Sequence, residues 1–297
     1  MRATKRRLSL DLPASSALAT TTDVVNILGT NMSNRKHFRK TFPRAAPSVP
    51  ATAPGGGYWL FGYHAVTAAV GNPRRHIRRL VGTAAALAEH DFGRPAERLE
   101  APALAGLLPA GAVHQGLAAL VEPLPFATLE EVLEDLPEGP QRIVLLDQVT
   151  DPQNVGAILR SASAFGTAAV ILTERHAAPE SGALAKAASG ALDHVPVIRV
   201  VNLARAMETV KRAGFWCAGL AAEAELTLAD AKLSGRIALV LGAEGGGLRR
   251  LTREHCDQLV RLPTSGPISQ LNVSNAAAVA LYELARSAPT TPNTSSK

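Results

Sequence analysis

The sequence predicts an α/β protein whose C-terminal half is a mostly parallel sheet with helices on both faces, preceded by a small α/β domain. Three observations carry this. From Arg142 onward, short apolar runs alternate with helix-length segments, the order that successive βαβ units produce. Ile143-Val144-Leu145-Leu146 and Ile237-Ala238-Leu239-Val240-Leu241 are apolar without alternation, as strands covered on both faces must be. Loops rich in glycine or polar residues follow such strands, where open α/β sheets bind their ligands.

Taken in order, residues 1–54 show no sustained periodicity, and from Thr41 to Gly57 the chain becomes rich in Pro, Ala and Gly. That composition cannot bury enough apolar surface to offset its ordering entropy, so residues 1–57 are expected to be a disordered basic tail and linker. The first residues weakly resemble a transit peptide without an apolar signal core, and Met32 is an alternative start.

A small domain is expected over 58–122. A helix from His64 to Val70 is stopped by Gly71-Asn72-Pro73, and a strand follows within Arg74–Val81. Thr83–Phe92 and Ala101–Leu107 read as helical, and Leu117–Val121 as a strand. Residues 123–141, with an acidic helix Leu129–Leu136 between prolines, read as a linker.

The larger domain, 142–288, opens with the strand Arg142–Asp147, a loop Gln148–Gly156 and a helix Ala157–Ala164. Strands follow at Ala168–Leu172, Val195–Val200, Trp216–Leu220 and Ile237–Leu241, with helices near Ala183–Ser189 and Leu203–Ala213. A polar helix Thr252–Asp257, a strand Leu259–Leu262 and an alanine-rich helix Asn275–Arg286 complete it. Residues 289–297 are expected to form a disordered tail.

The 297 residues are 46% hydrophobic and 19% charged, a soluble globular balance. No apolar run approaches the roughly 18 residues that span a bilayer, so no membrane role is expected. Cys217 and Cys256 have neither metal-ligand spacing nor a place in a disulfide framework, which points to a reducing cytoplasm and no metal. The net charge of +6 is smaller than the surplus in residues 1–54, where nine basic residues face two acidic ones. The basicity therefore belongs to the tail. Such an arm can grip a phosphate backbone, or it can be a solvated leader. The cluster Arg74-Arg75-His76-Ile77-Arg78-Arg79 poses the same choice between phosphate contact and a charged edge. His64 and His76 have no metal or nucleophile partner in the sequence and read as structural.

Three loops sit at the carboxyl ends of expected strands: Gln148–Gly156, Gly242–Leu248 and Leu262–Ser274. The third enters a helix through Ser269, Gln270, Asn272, Ser274 and Asn275, more polar side chains than capping requires. The second lacks the lysine and hydroxyl of a P-loop and the G-x-G-x-x-G order of a dinucleotide fold, so it signals only close backbone approach.

Together the loops are more specific. Asn154-Val155-Gly156-Ala157-Ile158-Leu159-Arg160, Leu241-Gly242-Ala243-Glu244-Gly245 and Leu271-Asn272-Val273-Ser274 resemble the three motifs of the SpoU-type (SPOUT-class) RNA 2′-O-ribose methyltransferases. Within that family the resemblance is strongest to the bacterial 23S rRNA guanosine 2′-O-methyltransferases. It implies a trefoil knot in the C-terminal sheet, S-adenosylmethionine bound in the knot, and a homodimer acting on RNA, not DNA. It also implies that residues 58–122 form a substrate-binding domain similar to ribosomal protein L30e. Carried over position by position, Asn154, Arg160, Glu244, Asn272 and Ser274 match the polar signature. Leu241, Gly242, Gly245, Leu262 and Leu271 fall where the family holds the methyl donor. Pro263-Thr264-Ser265 and Asn275 depart from the commonest pattern.

Chemically, a guanidinium with a pKa above about 12 is a poor base, so Arg160 is expected to hold a phosphate and stabilise developing alkoxide charge. Asn272 and Ser274 would orient the ribose hydroxyl, and Glu244 would steer Arg160 or Asn154, or accept a proton through the phosphate. The structural alternatives are helix capping for Asn154 and Ser274, a dipole partner for Glu244 and a surface ion pair for Arg160. A tRNA ribose methyltransferase and a non-catalytic RNA-binding or ribosome-assembly factor are the competing functions.

Overall fold

The computed structural model describes residues 56–125, 127–267 and 270–287. The expectations for the basic tail up to residue 55, for Ser269 and for the tail beyond residue 287 lie outside the described residues. The first part of the chain forms β1 (Tyr58–Phe61), α1 (Tyr63–Gly71), β2 (Ile77–Gly82), α2 (Ala84–Glu89), β3 (Glu97–Arg98), α3 (Ala101–Ala105) and β4 (Leu117–Val121). Its four strands make a mixed sheet in the order β1-β4-β2-β3. Arg74-Arg75-His76 precedes the strand expected there, because β2 begins only at Ile77.

The second part contains α4 (Leu129–Glu134), β5 (Arg142–Asp147), α5 (Pro152–Ala164), β6 (Ala169–Thr173), α6 (Gly182–Ala188), a 3-10 turn (Ala191–Asp193) and β7 (Val197–Val200). It continues through α7 (Leu203–Arg212), β8 (Trp216–Leu220), β9 (Ile237–Gly242), α8 (Arg250–Glu254), β10 (Gln258–Val260) and α9 (Val273–Arg286). Its six strands are parallel throughout and run in the order β10-β8-β9-β5-β6-β7.

The continuous apolar strands split by the two-residue period of the pleat. Val144, Leu146, Val170, Leu172, Leu239 and Leu241 join a core that includes residues of α5, α6 and α9. Ile143, Leu145, Ala169, Ile171, Ala238 and Val240 join a second core with α4 and α7. Both faces are therefore helix-covered, as the unalternating runs require. The expected linker is more than a connector. Thr128 and Glu131 close a capping box at the start of α4, and its Leu129 and Leu133 are buried in the second core.

Several boundaries differ from expectation, each for a local reason. The helix expected from Ala157 begins at Pro152, because the Asp151 carboxylate accepts the Gln153 amide at 2.8 Å and proline suits the first turn. Asn154 and Gly156 thereby move from a loop into a helix. The last helix begins at Val273, not Asn275, because Asn272 caps it. The strand expected over Leu259–Leu262 ends at Val260, which leaves Leu262 beyond the sheet.

Gly156 sets how closely α5 meets α6. A Cβ there would lie 2.4 Å from the Leu184 carbonyl oxygen and 2.9 Å from the Ala188 nitrogen, both backbone atoms. A second contact joins the small sheet to the large one. Arg75 is buried, and its Nε donates to Asp193 at 2.8 Å while Nη1 donates to Glu180 at 2.6 Å and to the Glu122 carbonyl at 3.0 Å. Tyr58 donates to the same Glu180 oxygen at 2.5 Å, and Asn72 donates to Asp193 at 3.0 Å. Burial opposes the charge on Arg75, but hydrogen bonds to Asp193 and Glu180 outweigh it and hold the guanidinium pKa above its ordinary value. Removing one member of such a buried set strands the others. Arg75→Met is expected to cost about 3–5 kcal/mol in urea unfolding, and a loss below about 1 kcal/mol would show that the junction is not stabilising.

Candidate active site

β5 and β9 end side by side, with Asp147 paired opposite Gly242. The segments that leave these strands therefore emerge together at the carboxyl edge of the sheet. β8 and β10 end in register as well, Leu220 opposite Val260, so Ala221–Glu223 and Leu262 come out at the same edge. The start of α9 returns to that edge.

This convergence joins residues far apart in the chain. Asn154, in the first turn of α5, is buried and donates from Nδ2 to Glu244 Oε1 at 2.9 Å. Asn272 donates from its own Nδ2 to the same Glu244 oxygen and, at 3.0 Å, to Asn154 Oδ1. The other end of the Asn272 amide caps α9: Oδ1 accepts from the Ser274 amide at 2.8 Å, the Asn275 amide at 3.4 Å and the Ser274 hydroxyl at 2.6 Å. The helix amides can only donate, so they fix which end of the Asn272 side chain faces them and turn its NH2 toward Glu244. Capping and the polar cluster are thus two ends of one side chain.

Beside this cluster lies a cleft of about 390 Å³, lined by Leu220–Glu223, Leu241–Leu248, Arg253, Leu262, Thr264, Gln270, Leu271, Val273 and Ala276. Its size falls within the usual range for a small-molecule site. Leu241, Gly242, Gly245, Leu262 and Leu271 all line it, as does Glu244. Asn154, Asn272 and Ser274 adjoin it through Glu244. The glycine-rich loop is pinned over its own root: the Ala243 amide donates to the Gly247 carbonyl at 3.2 Å, and the Gly247 amide donates to the Ala243 carbonyl at 2.9 Å. A Cβ on Gly242 would lie 2.0 Å from the Gly247 carbonyl carbon. Only glycine allows that approach, and it leaves main-chain groups as part of the cleft wall.

Arg160 stands apart. It is exposed on α5, and among the described residues no ion pair or side-chain hydrogen bond engages it. The surface ion pair weighed for it is absent there, so its guanidinium is free to meet an anion. Sequence reasoning missed the contribution of β8, where Leu220–Glu223 line the cleft and Glu223 pairs with Arg253. Their position after a strand end was the available signal. It also passed over Asp147, a fully buried carboxylate bound by Arg249. Burial pushes the thiols of Cys217 and Cys256 up to about 12, so neither is a thiolate nucleophile at neutral pH. Among the described residues no cluster of metal-ligating side chains is present, and no helix is long and apolar enough to cross a membrane.

Comparison with known proteins bears on the same elements. The SpoU rRNA Methylase family profile matches residues 141–282. The chain is 48% identical over 178 residues to the 23S rRNA (guanosine-2′-O-)-methyltransferase RlmB of Escherichia coli (strain K12), a span of 59% of this chain and 73% of that protein. The chain belongs to the SpoU rRNA methylase family. A Synechocystis relative described as an uncharacterized tRNA/rRNA methyltransferase, slr0955, is 37% identical over 264 residues, covering 84% of this chain and 68% of that one. Among solved structures, the SpoU methyltransferase AviRb from Streptomyces viridochromogenes, in complex with AdoMet, superposes with a TM-score of 0.65 at 28% identity. That superposition covers 78% of this chain and 90% of AviRb. All ten candidate residues fall inside the span matched by the SpoU profile, whereas the small mixed sheet precedes it.

The close approach at Gly242 makes the loop testable apart from any ligand. Gly242→Ala must push the loop off its root and is expected to cost about 1–3 kcal/mol, read as a lowered urea midpoint. A midpoint equal to that of the wild type would show that the loop yields freely.

Proposed function

We propose that this protein transfers a methyl group from S-adenosylmethionine to the 2′-oxygen of a guanosine in 23S rRNA. The observation that carries the reading is the hydrogen-bonded set Asn154–Glu244–Asn272–Ser274 standing against a glycine-walled cleft, in a SpoU family chain similar to RlmB. The cleft fits a methyl donor with an adenine ring. Its Gly242–Gly247 backbone offers peptide donors and acceptors at close range, and Leu241, Leu262 and Leu271 add apolar cover. When bound, S-adenosylmethionine supplies an electrophilic sulfonium methyl.

The residues of this chain would then do the remaining work. Arg160, exposed and unpaired among the described residues, holds a phosphate of the RNA and stabilises negative charge as the 2′-hydroxyl passes its proton, through that phosphate, to Glu244 or water. Ser274 and Asn272 orient that hydroxyl toward the donor cleft, and Glu244 fixes the two asparagine amides. Orientation is a large part of the catalysis, because an in-line transfer needs the oxygen and the methyl held in contact.

The finer readings belong to the same proposal. The expected trefoil knot is part of the same proposal, and it would bring α9 onto α5 and β9 although β10, which precedes it, lies at the far sheet edge. Val279 and Tyr282 are exposed on α9, and the Tyr282 ring meets Phe165 edge-on at 6.1 Å. This apolar face lies alongside the helix that carries Arg160, and a homodimer would bury it. Residues 58–122 would be an L30e-like RNA-binding domain, with Arg74, Arg78, Arg79, Arg94 and Arg98 exposed on it to meet phosphates. Residues 142–288 would be the catalytic domain, and the site of action the cytoplasm, where ribosomes are assembled.

Two measurements test the assignment. Arg160→Ala is expected to bind S-adenosylmethionine within about twofold of wild type by calorimetry while losing at least about 100-fold in methyl transfer to rRNA. Near-normal turnover in that variant would remove Arg160 from the mechanism. Mapping 2′-O-methyl groups with and without the gene should show one guanosine of 23S rRNA losing its mark. A mark lost from tRNA instead would overturn the substrate.

A further inference from the structure

The carboxylate of Asp147 has no place in the mechanism above, yet it lies at the root of the donor loop. It ends β5, it is 0% exposed, and it stands in register beside Gly242, where the loop begins. Its two oxygens are both taken by one residue. Oδ2 accepts the backbone N–H of Arg249 at 3.0 Å, and Oδ1 accepts Arg249 Nε at 2.6 Å. Arg249 is the residue at which the loop closes, one position before α8. Both ends of the segment Gly242–Leu248 are therefore tied to one buried residue, one to its backbone through the sheet ladder and the other to its carboxylate through a charge-assisted pair. The tip is held separately, by Asn154 and Asn272 on Glu244.

A carboxylate withdrawn from water is costly unless its partners are well placed. Here the compensation comes from a single arginine whose side chain is 48% exposed while that of Asp147 is 0% exposed. The buried partner is immobile and the exposed partner belongs to the loop, so the pair holds the loop to the sheet.

We propose that Asp147 and Arg249 form a latch that positions the glycine-rich loop for the methyl donor, acting as positioning residues that do not touch it. The latch rests on the donor-site reading given above. It affects the affinity for the donor and leaves the chemical step to Arg160, Glu244 and the asparagines. Losing the guanidinium removes one of the two bonds and spares the backbone bond, so the loop loosens at its closing end while β5 and β9 remain paired.

The test uses the full chain and Arg249→Met, with Arg249→Lys as the conservative variant. Arg249→Met is expected to raise the KM for S-adenosylmethionine about tenfold, the shift that one charge-assisted hydrogen bond supports, while kcat at saturating donor falls less than about threefold. Arg249→Lys should recover part of the lost affinity through its ammonium. Hydrogen exchange measured without donor should show faster exchange at the Ala243 and Gly247 amides in Arg249→Met, with β5 and β9 unchanged. Unchanged KM, a loss confined to kcat, or unchanged loop exchange would each overturn the latch. If the wild type binds no S-adenosylmethionine, the donor-site reading fails, and with it the latch's role in donor binding. The exchange comparison then still decides whether Arg249 holds the loop.

Discussion

One carboxylate oxygen joins the three sequence motifs. Glu244 Oε1 accepts amide N–H groups from Asn154 and Asn272, which arrive on the first turn of α5 and the cap of α9. Each of the three belongs to a different strand-to-helix passage. They meet because β5 and β9 end in register and because α9 folds back onto α5. If the sheet order changed, the asparagines would face solvent and Glu244 would be an ordinary loop acid. The cleft depends on the same constraint, since the loop that carries Glu244 is also its wall.

The two cores support that geometry unequally. The face shared with α5, α6 and α9 carries the motifs, and backbone approaches backbone closely there, at Gly156 against Leu184. The face shared with α4 and α7 carries no candidate residue and is held by aliphatic packing. Precision is concentrated where a misplacement of about 1 Å would cost turnover. The Arg75 junction extends that rigidity toward the small sheet by a buried ionic set, in contrast to the flexible hinge that a Pro-rich linker would provide.

How much of this was legible in the sequence varies with the range of the forces involved. Strand runs such as Arg142–Asp147, Leu117–Val121 and Trp216–Leu220 were readable to the residue because burial on a sheet face dictates local composition. The start of α5 was misplaced by five residues although Asp151-Pro152 is a local capping signal, because the motif that follows invited a loop reading. Leu129 and Leu133 looked like an acidic connector because their core partners lie on α7, far along the chain. Arg75 lies 105 residues from Glu180 and 118 from Asp193, and no periodicity links it to them.

The sequence by itself determined the class of the fold, the order of strands and helices from Arg142 onward, and the three motifs that place the chain in the SpoU family. These follow from hydrophobic periodicity and from residue types at short spacing. Only the tertiary structure decided which end of Asn272 caps its helix, that Asn154 and Asn272 share Glu244, that the turn after β8 lines the cleft, and that Asp147 binds the far end of the glycine loop. Those pairings depend on strand register and on the return path of the last helix. Such long-range pairings come from the packing of a whole sheet, which no local stretch of sequence encodes.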